Sequence, residues 1–95
     1  MTRRLSPRRA REIIDGAALV KAPDWPDTRQ WRVVSGGEVL VIVEPSYRAL
    51  SGRKRWRWRL ADSITLATQE EPTIEKAAVA GLAAWQRWVT RKDNR

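Results

Sequence analysis

From residue 54 to 60 the chain alternates without a break, setting Trp56, Trp58 and Leu60 against Arg55, Arg57 and Arg59. Successive side chains of a β-strand point to opposite faces, so this run predicts a strand with one apolar face and one cationic face. The two faces need different surroundings. Large aromatics at strand period belong in a core beneath a helix, which leaves the Arg edge facing outward. The other arrangement exposes both rings, flanked by Arg, as a stacking platform for bases. The apolar C-terminal helix described next favours the core.

The remaining elements are read from turn and cap signals. Gly36-Gly37 separates two β-rich runs at 29–35 and 38–44, as a two-residue hairpin turn needing positive φ. Counting outward from that turn sets Val33 opposite Leu40 and Trp31 opposite Ile42 on one face. Arg32, Val34, Val39, Val41 and Val43 then share the other. The second of these strands is apolar on both sides, which predicts a central strand covered on both faces. After Pro45 and a turn at Ser51-Gly52 comes the Arg/Trp strand, and a three-residue loop at 61–63 sets Ile64 and Leu66 of a strand at 64–68 opposite Leu60 and Trp58. Ser6-Pro7 opens a short basic helix that stops near Gly16, and residues 21–29 read as a linker with a Trp25-anchored turn. Glu70-Glu71-Pro72-Thr73 opens a long helix reaching Lys92, with Ile74, Ala78, Leu82, Trp85 and Val89 on its apolar stripe.

The fold class expected is α+β: a three- to four-stranded antiparallel sheet with the long C-terminal helix on one face and a short N-terminal helix. Residues 1–5 read as a basic tail, 6–92 as the single domain and 93–95 as a C-terminal tail. Val39, Val41 and Val43 would form a wet apolar patch on the Arg side, so residues 6–20 are expected to fold over it, carrying Arg3, Arg4, Arg8, Arg9 and Arg11 towards the Arg strand. A second copy of the chain is the alternative cover, so monomer and homodimer both stay open.

Composition removes much of enzyme chemistry. The 95 residues contain no Cys and no His, which excludes thiolate and imidazole ligands, Cys nucleophiles and Ser-His-Asp relays. Asp24 and Asp27 flank Trp25-Pro26 but read more simply as a turn, and Gly36-Gly37 lacks the Lys and Ser/Thr of a phosphate loop. The chain therefore reads as non-enzymatic, with no metal and no cofactor. No apolar run is long enough to span a bilayer and no secretory h-region follows the first residues, so the expectation is a soluble cytoplasmic protein with no membrane partner.

Charge points to an anionic partner. Nineteen Lys and Arg against eleven Asp and Glu give a net charge of +8, and the excess lies in two blocks. Residues 1–11 hold five Arg and no acid, and residues 48–59 hold six basic residues and no acid. Arg suits bidentate contact with phosphate, and same-side residues along a strand repeat at about 6.6 Å, close to the spacing of phosphates along one strand. The candidate nucleic-acid-binding residues are thus Arg53, Lys54, Arg55, Arg57 and Arg59, with Arg8, Arg9 and Arg11 as an electrostatic arm.

The order helix, strands, helix is shared with double-stranded-RNA-binding domains, but those carry a Lys cluster at the last helix where this chain has Glu70, Glu71 and Glu75 with only Lys76. Residues 29–89, with Trp56-Arg57-Trp58, resemble the arm-type DNA-binding domains of phage integrases. That resemblance implies a three-stranded sheet entering a groove, and favours DNA over RNA. Size and composition also resemble accessory proteins of phages and mobile elements, including anti-CRISPR inhibitors, which implies the alternative function: binding and inhibiting a host protein or ribonucleoprotein complex.

Overall fold

Five strands cross one antiparallel sheet in chain order: β1 (Ala18–Lys21), β2 (Trp31–Ser35), β3 (Glu38–Ser46), β4 (Arg55–Leu60) and β5 (Leu66–Glu71). Three helices accompany them, α1 (Pro7–Asp15), the single-turn α2 (Trp25–Thr28) and α3 (Ile74–Val89). This is a computed structural model, describing residues 4–46, 55–61 and 66–91. The expected α+β plan is the one observed, with one strand more than the sequence indicated. The addition is β1, a four-residue edge strand whose Leu19 and Lys21 pair with Val33 and Trp31. Leu19 and Val20 thus belong to the sheet and do not extend the first helix.

Gly36 and Gly37 turn the β2–β3 hairpin with φ of 58° and 80°, the double positive φ that only glycine adopts without strain. The register beyond the turn differs from a simple count. Val34 pairs with Val39, but Val33 pairs with Val41, so Leu40 is an extra residue, a β-bulge. From there every side chain of β3 changes face: Trp31 pairs with Val43 and Arg32 with Ile42. Val41 and Val43 therefore lie on the Trp side, both fully buried together with Leu40, and Ile42 lies on the Arg side. The expected patch of three valines on the Arg side does not exist. The physical reason is burial: the bulge lets Leu40 and Val41, consecutive residues, both enter the core.

One face of the sheet is covered. Helix α3 packs on β3 and β4, burying Ala77, Ala78, Gly81, Trp85 and Val89. A methyl group at Gly81 would overlap Val41 Cγ1, so glycine is what lets the helix backbone approach β3. The first helix sits in the same layer. Leu5 N–H donates to Val89 O at 2.7 Å, Ser35 Oγ donates to Ile13 O at 2.7 Å, and Ala10 and Ile13 join the core. Residues 6–20 thus do not fold over the Arg side. The described helices cover the central strand on one face only, and its outward residues after the bulge are Ile42, Glu44 and Ser46 in place of a valine row.

Trp56, Trp58 and Leu60 face the core, as the alternation predicted. Two boundaries move. Strand β3 continues through Pro45, tolerated there because β2 has already ended at Trp31 opposite Val43. Leu66 pairs with Arg59, not Trp58, because a register slip between Arg57 and Arg59 brings Glu70 beside Arg57 and forms an opposite-charge cross-strand pair; Ile64 lies outside the described residues. Glu70 and Glu71 consequently end β5, and Thr73 caps α3 by accepting from Lys76 N–H at 3.1 Å. At the other end Ser6 caps α1 by accepting from Arg9 N–H at 3.1 Å, with Pro7 as the first helical residue.

Trp85 is fully buried, and its indole N–H has no acceptor among the described residues. Its contribution is therefore packing area alone. Trp85→Ala is expected to cost about 3–5 kcal/mol in urea denaturation, and Trp85→Phe markedly less, since it keeps a ring and removes an unsatisfied donor. Gly81→Val should cost about 1–3 kcal/mol by forcing α3 off β3.

Candidate nucleic-acid interface

No described helix lies on the second face of the sheet. Cross-strand registers place its residues in rows: Val34 beside Val39; Val20, Arg32, Ile42 and Arg59; Glu44, Arg57 and Glu70; and Ser46 beside Arg55. The half near the hairpin is aliphatic and the half over β4 is charged. Four Arg stand against two Glu, a surplus of two positive charges. Arg55, Arg57 and Arg59 are all half-buried, as strand residues with long side chains lying across neighbours commonly are.

Glu44 organises the charged half. Its side chain is only 17% exposed, and Arg57 Nε donates to Oε1 at 3.1 Å while Arg59 Nε lies 3.7 Å from the same oxygen. Gln30 Nε2 donates to Oε2 at 3.2 Å. Both guanidinium groups are therefore met at Nε, and no described residue bonds their terminal nitrogens. Among the described residues nothing competes with an external oxyanion for the two-pronged edge of either group. Ser46 Oγ donates to Glu70 Oε2 beside them. Arg32 has no partner among the described residues, and its Nε is buried.

The sequence candidates divide three ways. Arg55, Arg57 and Arg59 share the open face. Arg53 and Lys54 lie outside the described residues. Arg8, Arg9 and Arg11 are exposed on α1, in the helical layer, so the two basic blocks are not brought together through the first helix. Arg8 and Arg9 also lie 3.8 Å and 3.2 Å from the Glu12 carboxylate. Two residues of the face escaped the charge-block argument, Arg32 and Glu44, because neither lies in a run of like charges; only the bulged register shows which neighbours they meet.

The linker holds a separate small cluster. Lys21 Nζ and Arg29 Cζ lie 4.2 Å and 4.6 Å from the centroid of Trp25, which the short α2 carries between them. Asp24 and Asp27 are exposed, and the Asp24 carbonyl accepts from Asp27 N–H and from Thr28 Oγ1, each at 3.0 Å, as in an ordinary turn. Among the described residues no group of three or more carboxylates is placed to hold a metal ion. No helix of the described residues is long and apolar enough to cross a membrane. Protein-family models, curated proteins and solved structures were each compared with the chain, and none matches.

A double-mutant cycle on Glu44→Gln and Arg57→Gln, followed by urea denaturation, should give a coupling of about 0.2–1 kcal/mol, because the Arg57 side chain is 43% exposed and water screens the pair. The coupling should shrink in high salt.

Proposed function

We propose that this protein binds nucleic acid without catalysis, laying the phosphate backbone of DNA against the open sheet face. The observation that carries this reading is a face on which no described helix packs and on which Arg55, Arg57 and Arg59 recur along β4 with their terminal nitrogens unbonded by any described residue. Alternate residues on a strand repeat at about 6.6 Å, so successive Arg can meet successive phosphates. Phosphate contacts of this kind position a protein without reading sequence. Base stacking has less support, since Trp31, Trp56, Trp58, Trp85 and Trp88 all pack on or within the core. Arg8, Arg9 and Arg11 would add a longer-range attraction from the other layer and not a direct extension of this surface.

The aliphatic half of the same face favours a second reading. Val20, 42% exposed, and the half-buried Val34, Val39 and Ile42 have nothing to offer a phosphate, but they suit the centre of a protein interface rimmed by Arg. A host protein or ribonucleoprotein complex inhibited by this chain is the partner on that reading. Capture from bacterial lysate with and without nuclease treatment separates the two: a partner retained after nuclease is a protein.

Fluorescence anisotropy with labelled duplex DNA tests the leading reading. Four phosphate contacts predict log K falling against log salt with a slope near −4, about a hundredfold loss between 50 and 200 mM. Arg55→Gln and Arg57→Gln should each reduce the slope by about one and weaken all sequences alike. Absence of binding at low salt, or binding indifferent to salt, would overturn it.

A further inference from the structure

Arg32 and Arg55 are the cations of the open face that no described residue pairs with, and of the two only Arg32 has a buried Nε. Arg32 stands on β2 between Val20 and Ile42, in the cross-strand row that continues to Arg59. Its Nε is buried, and no described residue accepts from it or pairs with its charge. A buried N–H without an acceptor destabilises a fold, and native chains rarely keep one without a reason. Truncation to an apolar side chain would remove that penalty while keeping the packing of the stem. The terminal nitrogens of Arg32, unlike Nε, reach the surface and have no described acceptor, so they are where an acceptor can arrive with a ligand.

The row supplies the rest of such a site. Neighbouring strands lie about 4.8 Å apart, so the Cα atoms of Arg32 and Arg59 stand about 10 Å apart across Ile42. Each side chain is long enough to lean over the isoleucine from its own side. Arg59 Nε lies 3.7 Å from Glu44 Oε1, and no hydrogen bond from its terminal nitrogens to a described residue is formed. Ile42 between them is half-buried and apolar, a low-dielectric floor on which a charge-assisted hydrogen bond is stronger than in open water.

We infer that Arg32 and Arg59 form a two-pronged clamp for one oxyanion above Ile42, and, resting on the reading proposed above, that the anion is a backbone phosphate of DNA. Arg32 supplies the contact that no described carboxylate competes for, whereas Arg57 and Arg59 share Glu44. The site therefore places a contact on β2, two strands from the Arg-rich run that announces itself in the sequence.

The experiment compares Arg32→Met with Arg87→Gln, which removes the same charge from the exposed side of α3. Both are read by duplex-DNA anisotropy at several salt concentrations and by urea denaturation. Arg32→Met is expected to bind about tenfold or more weakly, with the salt slope reduced by about one, and to unfold at a urea midpoint no lower than wild type. Arg87→Gln should bind close to wild type. If wild type binds and Arg32→Met behaves like Arg87→Gln, the clamp is wrong while DNA binding stands. A lower unfolding midpoint for Arg32→Met would also overturn it, since Arg32 would then be structurally satisfied. Wild type failing to bind DNA at low salt removes the parent reading and the clamp together.

Discussion

The extra residue at Leu40 is the constraint on which the rest of the structure depends. It lets Leu40 and Val41 enter the core together, and from that position it sets which residues of β3 meet the helix. Val41 and Val43 turn towards α3, and Gly81 leaves room for the closest approach between helix and strand. The same step turns Ile42 and Glu44 outwards. The bulge adds one aliphatic side chain to the core, Val41 and Val43 taking the place of Ile42, worth about 1.5–3 kcal/mol, and it keeps the Glu44 carboxylate from facing inwards, which together outweigh a disturbed ladder hydrogen bond.

The outward turn of Glu44 decides the character of the open face. A strand bearing Arg at three alternate positions would otherwise present like charges at close spacing with no counter-charge beneath them. Glu44, held by Gln30 and approached at Nε by Arg57 and Arg59, relieves part of that repulsion and limits the rotamers of both guanidinium groups. Local pairing lowers the net charge of the face. A face of this kind trades long-range attraction for defined geometry, and Arg32 stands apart from it as the cation whose Nε is buried with no acceptor among the described residues.

Placing both α1 and α3 on one side makes the sheet a two-layer structure with an inner and an outer surface. Leu5 and Ile13 fasten α1 to the end of α3 and to β2. The second face therefore carries no burial task that the described helices perform, and its half-exposed aliphatic and Arg side chains remain available to a partner. Covering one face is enough to close the core because that face holds Val33, Val41, Val43, Leu60 and the Trp56 and Trp58 rings.

The parts whose physics is local were legible along the chain. The period-two run at 55–60 separated core rings from outward Arg; Gly36-Gly37 marked a turn needing positive φ at both residues; Ser6-Pro7 started a helix; and the stripe from Ile74 to Val89 made a helix able to cover a sheet. Tertiary structure decided what local pattern leaves degenerate. Residues 39–43 are apolar at every position, so either parity satisfies them, and only the helix packing on β3 selects the bulged one. Ala18–Lys21 is too short to declare itself as a strand before β2 is there to pair with it. The layer occupied by α1, and with it the separation of Arg8, Arg9 and Arg11 from Arg55, Arg57 and Arg59, follows from Ile13 and Ala10 finding the core beside α3. The companionship of Glu44 with Arg57 and of Arg32 with Ile42 and Arg59 exists only between strands, because an isolated charge within an apolar run gives no periodic signal of what will lie beside it.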